Sequence, residues 1–260
     1  MEVRRPAVAG SFYPASKPEL SRLIDRLLAE GHHISWAGPT PKILVAPHAG
    51  YIYSGPIAAS AFACVTTPIE RVVLLGPAHR VFVRGMVSPG ADRLETPLGE
   101  VIVDVEALAR VPYVTPRADV HAQEHSLEVE LPFIQKVAPN ARVVPIAVSH
   151  ANASDVGLLL DALWGGPETL IVISSDLSHY HGYADGRARD QRSVTKILAF
   201  DPTLLGEDAC GCTGLNGLAW VAQRRALRGE LIDLRSSGDT AGSRDAVVGY
   251  AAIAFSEAAA

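Results

Sequence analysis

Three histidines follow short apolar runs, and their side chains could bind a metal ion or move protons. They are His48 after residues 43–46, His79 after residues 72–75 and His179 after residues 170–173. Apolar runs of this length, bounded by glycine, proline or serine, are typical of buried strands. In open α/β sheets, ligands bind beyond the carboxyl ends of the strands. The sequence therefore predicts that the three imidazoles gather at one sheet edge, and that the strands before His48 and His79 are neighbours. The alternative for His48 and His79 is that each only hydrogen-bonds loose backbone groups at the end of its strand.

Cys210 is the natural third metal ligand beside His48 and His79. Neutral imidazole, thiolate and carboxylate are the protein ligands that such a site would use. Cys210 precedes Gly211 at a predicted helix start, where the helix dipole and free N–H groups lower the pKa of a thiol and favour the thiolate. The open alternative is a small buried residue at a crowded helix start. Cys212 is expected to pack in the core, because it cannot easily face the same point from a helix.

Three further residues could take part in catalysis: His179, Asp176 and His125. His179 could act as a fourth ligand or as a general base, since the pKa of histidine lies near working pH. Asp176 could orient an imidazole, or it could form an Asx turn or a helix cap. Glu124 and His125 could form a cap pair at the start of a helix. Alternatively, they could orient the metal ligands or contact the substrate. The other histidines are expected to have no chemical role: His32, His33 and His181 at the surface, and His121 and His150 in structural positions.

Apolar patterns that alternate between strand and helix periods predict an α/β fold. The expected architecture is a single domain over residues 1–260, a three-layer sandwich with helices on both faces of a mixed, mostly parallel sheet. The last two strands are close in sequence and are expected to pair antiparallel. The predicted helices cover about 17–30, 56–63, 104–110, 127–134, 156–163, 183–200 and 208–228. The predicted extended segments cover 43–46, 71–75, 101–103, 142–148, 169–174, 230–236 and 247–255.

The composition excludes several classes of protein. A hydrophobic content of 48% with 20% charged residues is enough for a large core and is not typical of a disordered chain. The net charge of -5 and the lack of a basic run argue against a nucleic-acid partner. No signal peptide or membrane segment is recognisable. An odd number of cysteines indicates reduced thiols, so a soluble protein of the cytoplasm is expected.

The chain resembles the Memo family, also known as AmmeMemoRadiSam system protein B. The matching segments run from end to end of the chain in the expected order. They are Arg5-Pro-Ala-Val-Ala-Gly-Ser-Phe-Tyr-Pro14, Ala46-Pro-His-Ala-Gly-Tyr51, Leu75-Gly-Pro-Ala-His79, Thr96-Pro-Leu-Gly-Glu100, Glu124-His-Ser-Leu-Glu128, Ser174-Ser-Asp-Leu-Ser-His179, Ala209-Cys-Gly211 and Val247-Val-Gly-Tyr-Ala251. The resemblance implies a fold similar to that of class III extradiol dioxygenases, which are non-haem Fe(II) enzymes.

The same resemblance implies that His48, His79 and Cys210 occupy the iron-ligand positions and that His179 stands where those enzymes keep a catalytic histidine. The dioxygenases have a carboxylate where this chain has Cys210. A thiolate is softer and can itself be oxidised, so Cu or Zn is possible beside Fe(II). Animal members of the family are described as binding a phosphotyrosine peptide and iron or copper, and prokaryotic members are named for occurring beside a radical-SAM protein.

Three functions remain open at this level. The first is a metal-binding protein with a non-haem iron oxygenase or redox site that acts on an unknown small substrate. The second is a non-enzymatic protein that binds a ligand or peptide in a vestigial dioxygenase pocket. The third is a zinc hydrolase, because two histidines, a cysteine and a water molecule form a known catalytic set.

Overall fold

The computed structural model describes residues 2–31, 36 and 38–257, and its centre is a mixed β-sheet. The strands are β1 (Val3–Arg4), β2 (Ile43–Ala46), β3 (Arg71–Pro77), β4 (Met86–Ser88), β5 (Arg93–Thr96), β6 (Gly99–Ile102), β7 (Thr115–Pro116), β8 (Arg142–Val148), β9 (Thr169–Ser174), β10 (His179–His181), β11 (Leu227–Ser236) and β12 (Val247–Glu257). The helices are α1 (Lys17–Gly31), α2 (Tyr51–Phe62), α3 (Val105–Leu108), α4 (Ala118–Ala122), α5 (Leu131–Val137), α6 (Ala153–Ala162), α7 (Tyr183–Leu198) and α8 (Cys212–Arg225). A short 3₁₀ turn, Glu128–Glu130, precedes α5.

The main sheet has the strand order β10-β12-β2-β9-β3-β8-β4-β7. The remaining strand, β11, also pairs with β12. The four strands β2, β9, β3 and β8 are mutually parallel, and β10, β11 and β12 add antiparallel pairs at one end. A second, small sheet consists of β1, β5 and β6. The α/β class and the antiparallel pairing of the last two long strands are confirmed.

Alternate residues of the central strands face two separate cores. In β2, Leu44 and Ala46 belong to one core, and Ile43 and Val45 belong to the other. The first core is completed from the helices α1, α2 and α5 by Leu20, Ile24, Ile57, Phe62 and Phe133. The second is completed from α6, α7 and α8 by Leu160, Val194, Leu215 and Leu218. Because both faces are covered, these strands are apolar without interruption, and the prediction of helices on both faces is confirmed.

The strands that precede His48 and His79 are not neighbours, so that prediction is wrong. Strand β9 lies between β2 and β3 and pairs with both in parallel. Its carboxyl end carries Ser174 and the segment that follows it, including Asp176. Strand β9 therefore separates the strands that precede His48 and His79. The order of the elements along the chain does not indicate this long-range pairing.

Three boundaries near this edge differ from the predicted ones. Helix α2 begins at Tyr51 rather than residue 56 and keeps Pro56 in its interior, because Tyr51 and Ile57 both bury their side chains. Helix α8 begins at Cys212 rather than residue 208, with Gly211 as its N-cap. His179 is the first residue of strand β10 rather than a loop residue, because it pairs with Val248 of β12.

The surface prediction for His32 and His33 lies outside the described residues. Among the residues that are described, no helix is long and apolar enough to cross a membrane.

Candidate metal centre

Three imidazoles meet at the carboxyl edge of the parallel strands. One ligand atom each of His48, His79 and His125 lies within 4.8 Å of the other two, and this cluster could hold a metal ion. The rings of His79 and His125 stack with their centroids 4.8 Å apart. The ring of His48 stands edge-on to both, at 5.2 Å from His79 and 5.5 Å from His125. The structure therefore brings His125, which the sequence places beside the site, into the same cluster as the two predicted ligands.

His48 lies two residues beyond the end of β2 and is fully enclosed, with 1% of its surface exposed. Its Nδ1 lies 2.7 Å from Oγ of Ser174 at the end of β9, and its Nε2 lies 3.3 Å from Sγ of Cys210. Burial lowers the pKa of His48 well below its usual value, and the neighbouring His79 and His125 lower it further. The ring is therefore neutral, with one nitrogen free to act as an electron-pair donor.

His79 lies two residues beyond the end of β3 and is held by Glu124. The ring nitrogen Nδ1 lies 2.8 Å from Oε1 of Glu124, and the backbone N–H of His79 donates to Oε2 of the same carboxylate. Burial alone would raise the pKa of Glu124, but the hydrogen bonds and charge of His79 outweigh it and hold the pKa well below its usual range. The ionised carboxylate fixes Nδ1 as the protonated nitrogen of His79 and leaves Nε2 as the donor atom for a metal.

His125 comes from the connection between α4 and the 3₁₀ turn, not from a strand. Its ring is wedged between His79 and the ring of Phe12, whose centroid lies 4.9 Å away. Burial lowers the pKa of His125 to about 4, although Glu124 acts in the opposite direction. Its Nδ1 is buried and has no hydrogen-bond partner among the described residues. Oε1 of Glu124 lies 3.4 Å from this nitrogen. A neutral imidazole in contact with two other imidazoles is chemically suited to a cation.

Cys210 approaches the cluster from the side of His48. It precedes the N-cap of α8, and its own backbone N–H donates to the carbonyl of Asp176 at 3.2 Å. The backbone N–H of Asp176 in turn donates to Sγ, also at 3.2 Å. Burial raises the pKa of Cys210 above its usual range, and the nearby Asp176 adds to the effect. This is the opposite of the lowered pKa expected from a helix start, because desolvation of the thiolate outweighs the hydrogen bonds from Asp176 and Ser175.

Asp176 bonds the backbone of His48 rather than its ring. Its Oδ1 accepts the N–H of His48 at 2.8 Å. Burial raises the pKa of Asp176 to about 7, against the hydrogen bonds that it accepts from the backbone of His48 and Ala49. The residue thus ties the loop after β9 to the loop after β2.

His179 is half-buried, and its electrostatic influence on His48 and His79 shows that it lies near the cluster. Burial lowers the pKa of His179, against a hydrogen bond to the backbone of Leu177. At neutral pH its ring is therefore uncharged. A neutral imidazole can accept a proton.

The histidines expected to lack a chemical role are accounted for by other contacts. His121 is buried and its Nε2 lies 3.0 Å from the carbonyl of Val87, which confirms its structural position. His150 is exposed, and His181 lies 3.3 Å from Asp185 at the surface. Cys212 packs against the second core, as expected.

The model of the Memo-like protein family matches residues 4–254 of this chain. The chain belongs to the Memo family. A MEMO1 family protein of Aquifex aeolicus is 37% identical over 270 residues, which cover 98% of this chain and 100% of the relative. MEMO1 family proteins of Nitrosopumilus maritimus and Ignicoccus hospitalis are 32% and 36% identical, over 97% and 98% of this chain and 99% of each relative. This Memo-family chain is therefore similar to these proteins over nearly their whole length.

Sequence reasoning missed the polar groups behind the imidazoles of this Memo-family protein. Ser174 was treated as the end of a strand and Glu130 as part of a helix, but both are completely buried beneath His48. A signal was present, since two glutamates interrupt the otherwise apolar run of residues 127–134. A carboxylate in such a run is buried only where polar groups meet it.

Proposed function

We propose that this protein binds a redox-active metal ion, Fe(II), between His48, His79 and Cys210, and that this centre carries out oxygenase or redox chemistry on a small substrate. The observation that carries the proposal is the convergence of the imidazoles of His48, His79 and His125 at one point, with Sγ of Cys210 3.3 Å from Nε2 of His48. Family membership supports the same site, because the resemblance to extradiol dioxygenases implies iron at these positions.

The residues present fit a metal ion. Two donor atoms on one ion, at bond lengths of about 2.0–2.3 Å, are separated by about 3–3.5 Å. Sγ of Cys210 and Nε2 of His48 are already 3.3 Å apart. The ligand atoms of the three histidines lie within 4.8 Å of one another, and ring rotations that bring them to about 3–3.5 Å would complete the site.

Bound Fe(II) would supply one-electron redox chemistry. The chain's own residues would position the site and move protons. Glu124 holds the ring of His79, and Asp176 holds the main chain of His48. His179 would take a proton from a substrate hydroxyl at a ring nitrogen. His125, beside the same point, would contact the substrate. We also propose a cytoplasmic location, supported by three cysteines that are all free thiols.

The first test is metal content in protein purified without air. We expect near-stoichiometric iron in the wild type, loss of iron in His48→Ala, His79→Ala and Cys210→Ala, and full retention in the matched control Cys212→Ala. His125→Ala and His179→Gln should keep the metal and lose turnover. Loss of metal in His125→Ala with retention in Cys210→Ala would make His125 the third ligand and contradict the proposed set.

A non-enzymatic function is the second candidate, favoured by the contact between His48 and Cys210, which is complete without an ion. In that case the site would be a pocket for a small molecule, or for a peptide or a radical-SAM-associated partner as the family resemblance implies. A protein that does not bind added Fe(II), Zn(II) or Cu(I) would favour this function over the redox proposal. Activity with Zn(II) that persists in air would instead indicate a hydrolase.

A further inference from the structure

Glu130 is a completely buried carboxyl group beneath the candidate metal centre, and no proposed step uses it. It lies in the 3₁₀ turn Glu128–Glu130 and has no exposed surface. Within the described chain, its hydrogen-bond partner is Oγ of Ser174, 2.9 Å from Oε1, and Oε2 has none. Glu128, two residues earlier, is equally buried but pairs with Arg4 and accepts hydrogen bonds from Tyr13 and from the N–H groups of Ala7 and Val8.

The protonation state of Glu130 follows from its surroundings. An ionised carboxylate without a cation is strongly disfavoured in a buried site. Burial raises the pKa of Glu130 well above its usual value, the contact with Ser174 acts in the opposite direction, and the charge of Asp176 adds to the increase. The group is therefore a neutral carboxylic acid, which can donate a hydrogen bond.

The hydrogen bonds of Ser174 can be assigned by counting protons. Its Oγ lies 2.7 Å from the carbonyl of Ser126, 2.7 Å from Nδ1 of His48 and 2.9 Å from Oε1 of Glu130. A hydroxyl group has one proton to donate and two lone pairs to accept with. The carbonyl can only accept, so it takes the hydroxyl proton. The other two neighbours must then both be donors.

We propose that Glu130 is a positioning residue of the metal centre: as a neutral acid it donates to Ser174, which keeps the Ser174 hydroxyl as the acceptor for Nδ1–H of His48. The consequence is that His48 is locked as the Nδ1–H tautomer, with the lone pair of Nε2 directed toward Cys210. An ionised Glu130 could only accept a hydrogen bond. It would compete with the carbonyl of Ser126 for the proton of the Ser174 hydroxyl. The tautomer of His48 is a property of the metal-free protein. Only the statement that Nε2 of His48 binds a metal ion rests on the proposed function.

The test is the tautomer of His48 in metal-free protein, read from long-range ¹H–¹⁵N correlation spectra of ¹⁵N-histidine-labelled samples. The His48 signals are those lost in His48→Gln. We expect the Nδ1–H pattern in the wild type and in Glu130→Gln, because the carboxamide can also donate to Ser174. In Ser174→Ala the acceptor is gone, and the pattern should shift toward the Nε2–H tautomer. Glu128→Gln is the matched control for a buried glutamate, and it should leave the His48 signals unchanged.

Two outcomes of the tautomer measurement would overturn the inference. One is a wild-type His48 in the Nε2–H form. The other is a Glu130→Gln protein that folds but loses the Nδ1–H pattern, since this would show that Glu130 acts as an anionic acceptor. A direct check is the infrared C=O band of a protonated carboxyl, which should be present in the wild type, absent from Glu130→Gln and therefore visible in the difference spectrum of the two proteins. Loss of this difference band would contradict a neutral Glu130.

Metal titration separates this inference from the proposed function. With Zn(II) as the probe, Ser174→Ala should bind about 10–100-fold more weakly than the wild type, the usual effect of removing a group that orients a ligand, whereas Glu130→Gln should bind normally. If the wild type binds no metal while His48 shows the Nδ1–H form, the proposed function fails and the positioning role stands. If the wild type binds metal and Ser174→Ala binds equally well, the positioning role fails and the proposed function stands.

Discussion

Glu124 binds His79 through both oxygens of its carboxylate. Oε1 lies 2.8 Å from Nδ1 of the ring, and Oε2 accepts the backbone N–H of the same residue. Oε1 also accepts the N–H groups of His125 and Ser126, at 2.9 and 3.0 Å. One buried carboxylate thus fixes the ring and main chain of His79 and the main chain of a second histidine of the cluster.

Glu124→Gln should weaken metal binding about 10–100-fold, because the carboxamide would present an N–H group to one of the donors that the carboxylate now accepts. The measurement is a competition titration against a chromogenic chelator. The exposed Glu106→Gln is the control and should bind normally. Equal affinity in Glu124→Gln would mean that the orientation of His79 does not depend on this carboxylate.

Gly211→Ala should destabilise the protein by about 1–3 kcal/mol through overpacking and lower its metal content. A Cβ at Gly211 would meet the side chain of Ser175 at 2.6 Å and the carbonyl of Ser174 at 2.8 Å, so Cys210 would be pushed from His48. Gly206→Ala, in the same connection, is the matched control, because no described atom lies within 4 Å of its Cβ. Chemical denaturation and elemental analysis measure both effects. A stable, fully metallated Gly211→Ala protein would refute this account of the close approach.

Ala226→Gly should raise the free energy of unfolding by about 1 kcal/mol, because a left-handed backbone is costly for any residue with a Cβ. Ala226 ends α8 with φ 47° and ψ 44°. Ala199 ends α7 with φ -81° and is also exposed. The same substitution at Ala199 should lower the free energy by about 0.5–1 kcal/mol, since glycine loses more entropy on folding. Urea denaturation of both variants checks the sign, and equal shifts would contradict the backbone argument.

Asp104→Asn should reduce stability at neutral pH by about 1–3 kcal/mol, the range for losing a buried charged hydrogen bond. Asp104 accepts from Arg71 at 2.7 Å and caps α3 through the N–H of Ala107 at 3.0 Å. Burial acts to raise the pKa of Asp104, but these hydrogen bonds outweigh it and leave the pKa below its usual value.

The pH dependence of this effect has a definite sign. A lowered folded-state pKa contributes stability above the unfolded pKa of about 3.9, and that stability is lost as pH falls through the folded-state pKa. The difference between wild type and Asp104→Asn should therefore be greatest near neutral pH and shrink below about pH 4. Denaturation curves at several pH values measure it. Asp119 forms an exposed ion pair with Arg117, so Asp119→Asn should change stability little. If the difference in the free energy of unfolding between the wild type and Asp104→Asn did not vary with pH, the linkage would be refuted.

Local patterns were enough to predict the elements that carry the site. The central strands β2, β3, β8 and β9 were found at their places because each is a short apolar run between turn signals. His48 and His79 were recognised as candidates because they follow such strands directly. These properties depend on neighbouring residues in the chain, so they can be read without knowing the fold.

Only the tertiary structure decided how these pieces meet. It inserted β9 between the two histidine strands, added His125 to the cluster and placed the neutral Glu130 beneath His48. It also reversed the expected shift in the pKa of Cys210. Strand order, desolvation and the supply of hydrogen-bond donors all depend on groups that are distant in sequence. The chain thus determined which residues could do chemistry, and the packing determined which of them face one another and in what state of protonation.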